Sequence, residues 1–200
     1  MFDRAFDEVM GYEGGYSNHP DDRGGETYRG IARNRHPDWS GWQRVDKYRW
    51  HDEFPDILNE DEGLQELVRE FYRKEFWNRI SGDEVSEISH DVARELFDVA
   101  VNMGTYRAGT FLQRALNLLN KHERLYPDLR VDGDIGPRTL SALRTLVKDK
   151  GEYTLLKMLN VMQGCQYIYL AETDQSQETN IWGWFRRVSI RKSISKRQEV

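Results

Sequence analysis

The sequence is poor in cysteine and lacks long apolar runs. Its one cysteine, Cys165, falls within a helical pattern and has no partner in the chain, which excludes an intramolecular disulfide and predicts a packing role for this side chain. No run of about eighteen apolar residues is present, so we expect no membrane-spanning helix and no stable membrane insertion. The 200 residues suit one compact domain, or one domain with a small appended lobe.

Motifs for metal, nucleophilic and phosphate chemistry are also missing. The five histidines show no H-E-x-x-H pattern and no close pairing, which leaves a zinc site without support. The chain contains no G-x-S-x-G elbow and no phosphate-cradling glycine loop. The sequence therefore predicts an activity that requires no cofactor and no metal.

Charge is unevenly distributed along the chain, whose formal net charge is -5. Residues 186–200 contain six basic residues and one acidic residue, so residues 1–185 contain 23 basic and 33 acidic residues, a net charge of -10. An acidic body argues against binding to a phosphate backbone, and we expect no nucleic-acid partner. The basic end is typical of a solvated or frayed terminus, and the alternative is contact with the cell wall or with anionic lipid.

Apolar residues at spacings of three and four predict a mostly α-helical fold. The clearest patterns cover residues 64–77, 93–101, 108–121, 137–147 and 152–171. Pro137 is predicted to occupy the first position of its helix, and Tyr169 to lie on the apolar side of the last one. Residues 34–53 are predicted to be irregular with one helical turn, and residues 81–89 to form a polar link.

The N-terminal helical pattern ends at a carboxylate. Residues 2–10 carry apolar side chains at i, i+4, i+7 and i+8, and Gly14-Gly15 stops the pattern, so Glu13 is predicted to be the last helical residue. A carboxylate at the negative end of a helix dipole, next to two residues without side chains, has a disfavoured ionised form. Glu13 is therefore a candidate general acid.

The residues after this helix predict a hairpin with short, irregular strands. Gly24-Gly25 precedes Thr27 and Tyr28, and folding back would bring Asp22 and Thr27 opposite the end of the Glu13 helix. Cleavage of a glycosidic bond with inversion requires a protonated carboxyl and a second carboxylate that holds water. Glu13 and Asp22 fit these two roles. The alternative is that Asp22 shapes a turn and that Thr27 and Tyr28 are ordinary strand residues.

Aromatic side chains are concentrated after the hairpin. Trp39, Trp42 and Trp50 lie within the stretch that is predicted to be irregular. Exposed aromatic rings stack on the faces of sugars, so these tryptophans are candidates to line a glycan groove. The alternative is that each ring pins a loop to the core.

The N-terminal stretch resembles the signature of glycosyl hydrolase family 108, whose members are N-acetylmuramidases of phage and prophage endolysins, some of them labelled secretion activator proteins. The matching residues are Glu13, Gly14, Gly15, Tyr16, Asn18, Pro20, Asp22, Gly24, Gly25, Thr27, Gly30 and Ile31. The resemblance implies a mostly α, lysozyme-like helical fold with a small β-hairpin near the N-terminus. It also implies Glu13 as the catalytic acid, and we predict Asp22 and Thr27 as its catalytic partners, with Tyr16 and Tyr28 positioning substrate.

Three later motifs are similar to the same family. Asp98, Asn102 and Gly104 match an F-D-x-x-x-N-x-G pattern, and this Asp–Asn pair is predicted either to bind a sugar or to brace its helix. Residues 132–139 resemble the start of a C-terminal predicted peptidoglycan-binding domain, and residues 182–187 resemble a closing W-G-x-x-x-R motif. We therefore expect a catalytic region over residues 1–105 and a helical peptidoglycan-binding region over residues 106–200, packed as one body.

Three functions are compatible with this sequence. The first is a muramidase that hydrolyses the β-1,4 bond between N-acetylmuramic acid and N-acetylglucosamine, with inversion or retention left open. The second is a lytic transglycosylase, which needs Glu13 but not Asp22. The third is a non-catalytic protein that binds peptidoglycan or assists secretion. In each case the expected partner is the peptidoglycan glycan strand.

The predicted location follows from the start of the chain and from the family setting. No charged start followed by an apolar stretch and a cleavage site is present, so we expect the protein to remain cytoplasmic until it is released to the cell wall. The prophage setting of the family implies a holin or a similar route as the partner for that release.

Overall fold

The structure is a computed structural model that describes residues 1–11, 15–18 and 25–188. These residues are mostly helical and include one small antiparallel sheet, which confirms the predicted fold class. The chain forms two compact units, Met1–Arg79 and Ile80–Val200. The division of function predicted at residue 105 stays a prediction. Glu13, Asp22 and the basic residues beyond position 188 lie outside the described residues.

The first unit contains three α-helices and the sheet among its described residues. Its elements are α1 (Phe2–Met10), β1 (Tyr16–Ser17), β2 (Thr27–Tyr28), β3 (Ile31–Ala32), α2 (Gly41–Tyr48), a 3-10 turn (Asp56–Asn59), α3 (Glu62–Tyr72) and a π-helical turn (Arg73–Trp77). The apolar side of α1 packs on the end of α3 and on the π-helical turn that follows it. The ring centroids of Phe2 and Trp77 lie 5.6 Å apart, and those of Phe6 and Tyr72 lie 5.7 Å apart. These contacts seat the helix that precedes Glu13 in the sequence.

The sheet has the order β1-β2-β3 with antiparallel pairing throughout. Tyr28 pairs with Tyr16 on one side and with Ile31 on the other. The two-residue turn between β2 and β3 consists of Arg29 and Gly30, with φ angles of 44° and 78°. Two consecutive positive φ values are typical of the turn that matches the twist of a tight hairpin, and glycine accepts such values without strain. The hairpin predicted from the glycines is confirmed.

Two stretches contain more helix than predicted, since the first was expected to hold one helical turn and the second none. Residues 34–53 include α2, a helix of two turns whose Trp42 and Val45 are buried. Residues 81–89 include α4 (Gly82–Ile88), in which Val85 is fully buried. Each helix buries only one or two apolar side chains, which is too short a pattern for periodicity to detect. Both helices depend on tertiary packing rather than on a strong local signal.

The second unit is a bundle of helices around α5. After a 3-10 turn at Asn78–Ile80 and α4, its elements are α5 (His90–Met103), α6 (Thr105–Leu119), α7 (Pro137–Lys150), α8 (Tyr153–Thr173), a 3-10 turn (Gln175–Asn180) and α9 (Ile181–Phe185). Leu96, Phe97 and Val99 of α5 are fully buried, and α5 packs against α4, α6 and α8. Pro137 begins α7, as predicted. Among the described residues, no helix combines the length and apolar character that crossing a membrane requires.

Helix α8 differs from its predicted orientation. Tyr169 is 59% exposed, whereas Gln163, Gly164 and Tyr167 face the core. Cys165 is exposed, so its predicted packing role is wrong. Because α8 carries apolar residues around most of its circumference, the sequence pattern could not select the buried face.

Candidate active site and its supporting clusters

The predicted site residues fall into two groups in the structure. Tyr16, Thr27 and Tyr28 share the sheet of the first unit. Asp98 and Asn102 lie four residues apart on α5 of the second unit. Within residues 1–11, 15–18 and 25–188, no group of three or more His, Cys, Asp or Glu side chains could hold a metal ion.

Tyr16 is half-buried and its hydroxyl is held by a carboxylate. The hydroxyl donates to Glu26 Oε1 at 2.9 Å, and the ring packs edge-on against Phe54 with centroids 4.7 Å apart. Burial, reinforced by the bond to Glu26, raises the pKa of Tyr16 above its usual value. The phenol therefore stays protonated and acts as a hydrogen-bond donor.

Thr27 and Tyr28 make bonds within the protein. The Thr27 hydroxyl donates to the carbonyl of Gly25 at 3.1 Å. Tyr28 is 1% exposed, and its hydroxyl donates to the carbonyl of Leu58 at 3.2 Å and accepts from Gln65 Nε2 at 2.8 Å. The substrate role of Tyr28 stays a prediction that this burial does not support, because a sugar has almost no surface of Tyr28 to contact. Tyr28 fixes β2 to the segment before α3.

A charged cluster that the sequence analysis missed is centred on Glu26. Its carboxylate, 10% exposed, accepts from Arg49 Nη2 at 2.7 Å and lies 2.9 Å from Arg33 Nε. Both arginines also pair with Asp46 at 2.8 Å, and the Arg33 bond is the main cause of a lowered pKa at Asp46. The cluster ties β2 to α2. The partners of Glu26 lie seven to 23 residues away in the sequence and on different elements, so no helical or strand spacing could reveal them.

Replacing Glu26 by glutamine should destabilise the sheet. The substitution removes the charge between Arg33 and Arg49, whose side chains are about one-third exposed, and we expect a loss of about 2 kcal/mol in the free energy of unfolding. Urea denaturation measures this loss, and hydrogen exchange at the Tyr28 amide reports the local effect. Glu53→Gln, at a side chain that is 72% exposed, is the matched control. Equal stability of the two variants would show that the cluster is not structural.

Asp98 and Asn102 belong to a polar cluster that joins three segments of the second unit. Asn102 Nδ2 donates to the Asp98 carbonyl at 2.8 Å. The Asp98 carboxylate accepts from Gln163 Nε2 at 2.7 Å and from Arg187 Nη1 at 3.0 Å. Tyr167, one turn after Gln163, stacks on Trp184 with centroids 5.1 Å apart. These bonds favour the bracing role for the Asp–Asn pair, and the sugar-binding role stays a prediction.

Glu95, which the sequence analysis did not identify either, has a buried carboxyl group one turn before Asp98. It is 4% exposed, and its Oε1 atom has no hydrogen-bond partner among the described residues. Burial first, and the Asp98 charge second, raise its pKa from 4.5 to about 7, while Arg94 and a bond from Asn160 act in the opposite direction. Glu95 is therefore neutral at acidic pH and loses its proton as the pH approaches 7. Its buried surroundings disfavour the negative charge that results.

The stability of the protein should fall as the pH rises because of Glu95. The folded state binds the Glu95 proton more tightly than the unfolded state, so the benefit is complete below pH 4.5 and is lost as the pH rises through about 7. The expected loss is on the order of 2–3 kcal/mol. Urea titrations from pH 5 to pH 8 should show a weaker decline in Glu95→Gln, which lacks the ionisable group. An identical pH dependence in both proteins would contradict this assignment.

The turn over residues 132–139 folds around the buried side-chain amide of Gln113. Gln113 Nε2 donates to Asp132 Oδ1 at 2.9 Å and to the Asp134 carbonyl at 2.8 Å, while Gln113 Oε1 accepts from the amide of Gly133 at 2.8 Å. A Cβ atom at Gly109 would lie 2.0 Å from the Gly133 carbonyl oxygen, so this approach requires glycine. The turn is thus explained by its internal bonds, without a ligand.

Comparisons with known proteins find two family models and a solved structure that are similar to this chain. The family model described as Glycosyl hydrolase 108 matches residues 6–104, and the model described as Predicted Peptidoglycan domain matches residues 107–189. The solved structure of SagA from Brucella abortus is similar in fold, with a TM-score of 0.58 and 24% sequence identity over 94% of this chain and 88% of that chain. Among curated proteins, no match is found.

Proposed function

This chain belongs to the glycosyl hydrolase 108 family and continues into a predicted peptidoglycan domain, and from this premise we propose that it is an N-acetylmuramidase. It is a glycoside hydrolase that acts on peptidoglycan. The bond that we propose it hydrolyses is the β-1,4 linkage between N-acetylmuramic acid and N-acetylglucosamine. The observation that carries this proposal is the family match over residues 6–104, which includes the Glu13 signature.

In the proposed mechanism, Glu13 donates a proton to the leaving glycosidic oxygen as the bond to the anomeric carbon breaks. Asp22 holds the attacking water or stabilises the positive charge of the oxocarbenium-like transition state. Thr27 and Tyr16 orient substrate from the sheet. The described elements that flank Glu13 and Asp22 in the sequence support the proposal, because α1 is seated by its aromatic contacts and β2 is fixed by Tyr28 and the Glu26 cluster. Elements that are fixed in this way favour preorganised catalysis.

Replacing Asp22 by asparagine separates hydrolysis from transglycosylation. A hydrolase that uses Asp22 for the water should lose about 10²-fold or more in rate, whereas a transglycosylase needs no water and should keep most of its activity. Release of soluble fragments from purified peptidoglycan measures the rate, and Asp21→Asn is the matched control. Unchanged release by Asp22→Asn would contradict the assigned role of this carboxylate.

A further inference from the structure

The first unit has a cleft of about 440 Å³ between the segment before α2 and one side of α3. This volume is within the range of ligand pockets, which is about 300–1,000 Å³. Its lining includes His36, Trp39, Glu70, Phe71 and Glu75. None of these residues has a role in the mechanism proposed above.

The aromatic part of the cleft is held in a fixed arrangement. The Trp39 ring lies edge-on to Trp42, with centroids 5.1 Å apart, and its indole N–H points to the Leu67 carbonyl at 3.4 Å. His36 packs edge-on against Phe71 with centroids 4.7 Å apart. Trp39 and Phe71 are only partly buried, so both keep ring surface accessible from the cleft.

Gly41 makes the position of the Trp39 ring possible. A Cβ atom at Gly41 would lie 2.3 Å from two carbon atoms of that ring. Real Cβ contacts are never this short, so any larger residue at position 41 would move the ring. The position of the Trp39 ring therefore depends on glycine at position 41 as well as on Trp39 itself.

The polar part of the lining mixes both charges. Three acidic and two basic side chains line the cleft, which leaves a net charge of -1. The Glu75 carboxylate is paired with Arg79 at 2.7 Å, and Glu70 is exposed at the rim. A nearly neutral cleft with aromatic rings and carboxylate acceptors does not suit a polyanion. It suits a neutral ligand that has one apolar face and several hydroxyl donors.

We propose that this cleft is a non-catalytic binding subsite for an N-acetylated hexosamine of the peptidoglycan glycan strand. The C–H face of the sugar lies on Trp39 and Phe71, and its hydroxyls donate to Glu70. This inference rests on the proposed function only for the presence of the glycan strand near the protein. A polymeric substrate held at a second point dissociates more slowly, which raises its effective concentration at the catalytic residues.

NMR titration with chitotetraose, a soluble oligomer of N-acetylglucosamine, tests the subsite. The protein is Glu13→Gln, so that the oligomer is not consumed. We expect a saturable shift of the Trp39 indole N–H resonance and no shift at Trp50, which is 90% exposed and outside the cleft. Saturable binding that leaves the Trp39 resonance unchanged would overturn the proposal, and so would the absence of any binding.

Two variants and a control make the test specific. Gly41→Ala keeps every lining residue but moves the Trp39 ring, and it should weaken oligomer binding about tenfold. Glu70→Ala, at an exposed rim position that leaves the core intact, should weaken it about fivefold. Glu60→Ala, an exposed acid outside the cleft, should bind as the unaltered protein does. Equal affinity of Glu70→Ala and Glu60→Ala would contradict the subsite.

The failure of this inference and the failure of the proposed function give different results. Release of reducing muramic acid ends by the wild type, with no Trp39 shift in Glu13→Gln, would remove the subsite and keep the muramidase. A Trp39 shift without any release of reducing ends by the wild type would support the subsite and remove the muramidase.

Discussion

Glu13→Gln is expected to lower the rate of peptidoglycan lysis by about 10³-fold or more. Glutamine has nearly the same shape as glutamate but cannot donate a carboxyl proton to the leaving oxygen. Without that proton the leaving group departs as an alkoxide, which is far less stable than an alcohol. The loss should appear in the catalytic rate rather than in binding to the cell wall.

Lysis of a wall suspension, followed by turbidity, measures this effect. The matched control is Glu8→Gln, the same substitution on the partly exposed side of α1. Both variants should melt cooperatively at the temperature of the wild type. Retained lysis by Glu13→Gln would show that another group supplies the proton.

The second large effect is expected at the contact between Arg187 and Asp98. Arg187 is 8% exposed and Asp98 is 16% exposed, and their side chains meet at 3.0 Å. Replacing Arg187 by methionine leaves the Asp98 charge inside a cluster that also contains Glu95. Removing one partner of a buried ion pair typically costs about 3–5 kcal/mol, and we expect a loss of that size in the free energy of unfolding.

Urea denaturation of single and double variants isolates the pair. Arg187→Met combined with Asp98→Asn should recover part of the lost stability, because no unpaired charge then remains. Arg186→Met changes a neighbouring exposed arginine and should leave stability within about 0.5 kcal/mol of the wild type. Equal stability of Arg187→Met and Arg186→Met would show that the contact between Arg187 and Asp98 does not stabilise the fold.

This contact lies within the second unit, which contains the end of the first matched region together with the second matched region. Asp98 lies in the part that matches Glycosyl hydrolase 108, and Arg187 lies in the part that matches the peptidoglycan domain. Helix α5 of the first region packs on α6 and α8 of the second. Removal of the C-terminal region would therefore expose the buried face of α5.

The sequence was informative wherever a local pattern was long or specific. The apolar spacing identified α3, α5, α6, α7 and α8, and the glycines identified the β2–β3 turn. The apolar periodicity did not predict α2 and α4, because both helices are short and gain their stability from packing. The periodicity also did not predict which face of α8 is buried, because a helix that is apolar on most sides has no single apolar face in its sequence pattern.

The supporting clusters could not be predicted for a different physical reason. Gln163 and Arg187 reach Asp98 from 65 and 89 residues away, and Glu26 meets Arg49 across 23 residues. Such pairs depend on the tertiary fold and leave no spacing to detect. The signature around Glu13 was found because its residues are contiguous in the chain.

The most direct test of the central proposal is mass spectrometry of the fragments released from purified peptidoglycan by the wild type and by Glu13→Gln. The account predicts reducing N-acetylmuramic acid ends from the wild type and none from the variant. Fragments with 1,6-anhydro ends would contradict hydrolysis and indicate a transglycosylase. Binding to peptidoglycan without release of any fragment by the wild type would contradict the muramidase assignment itself.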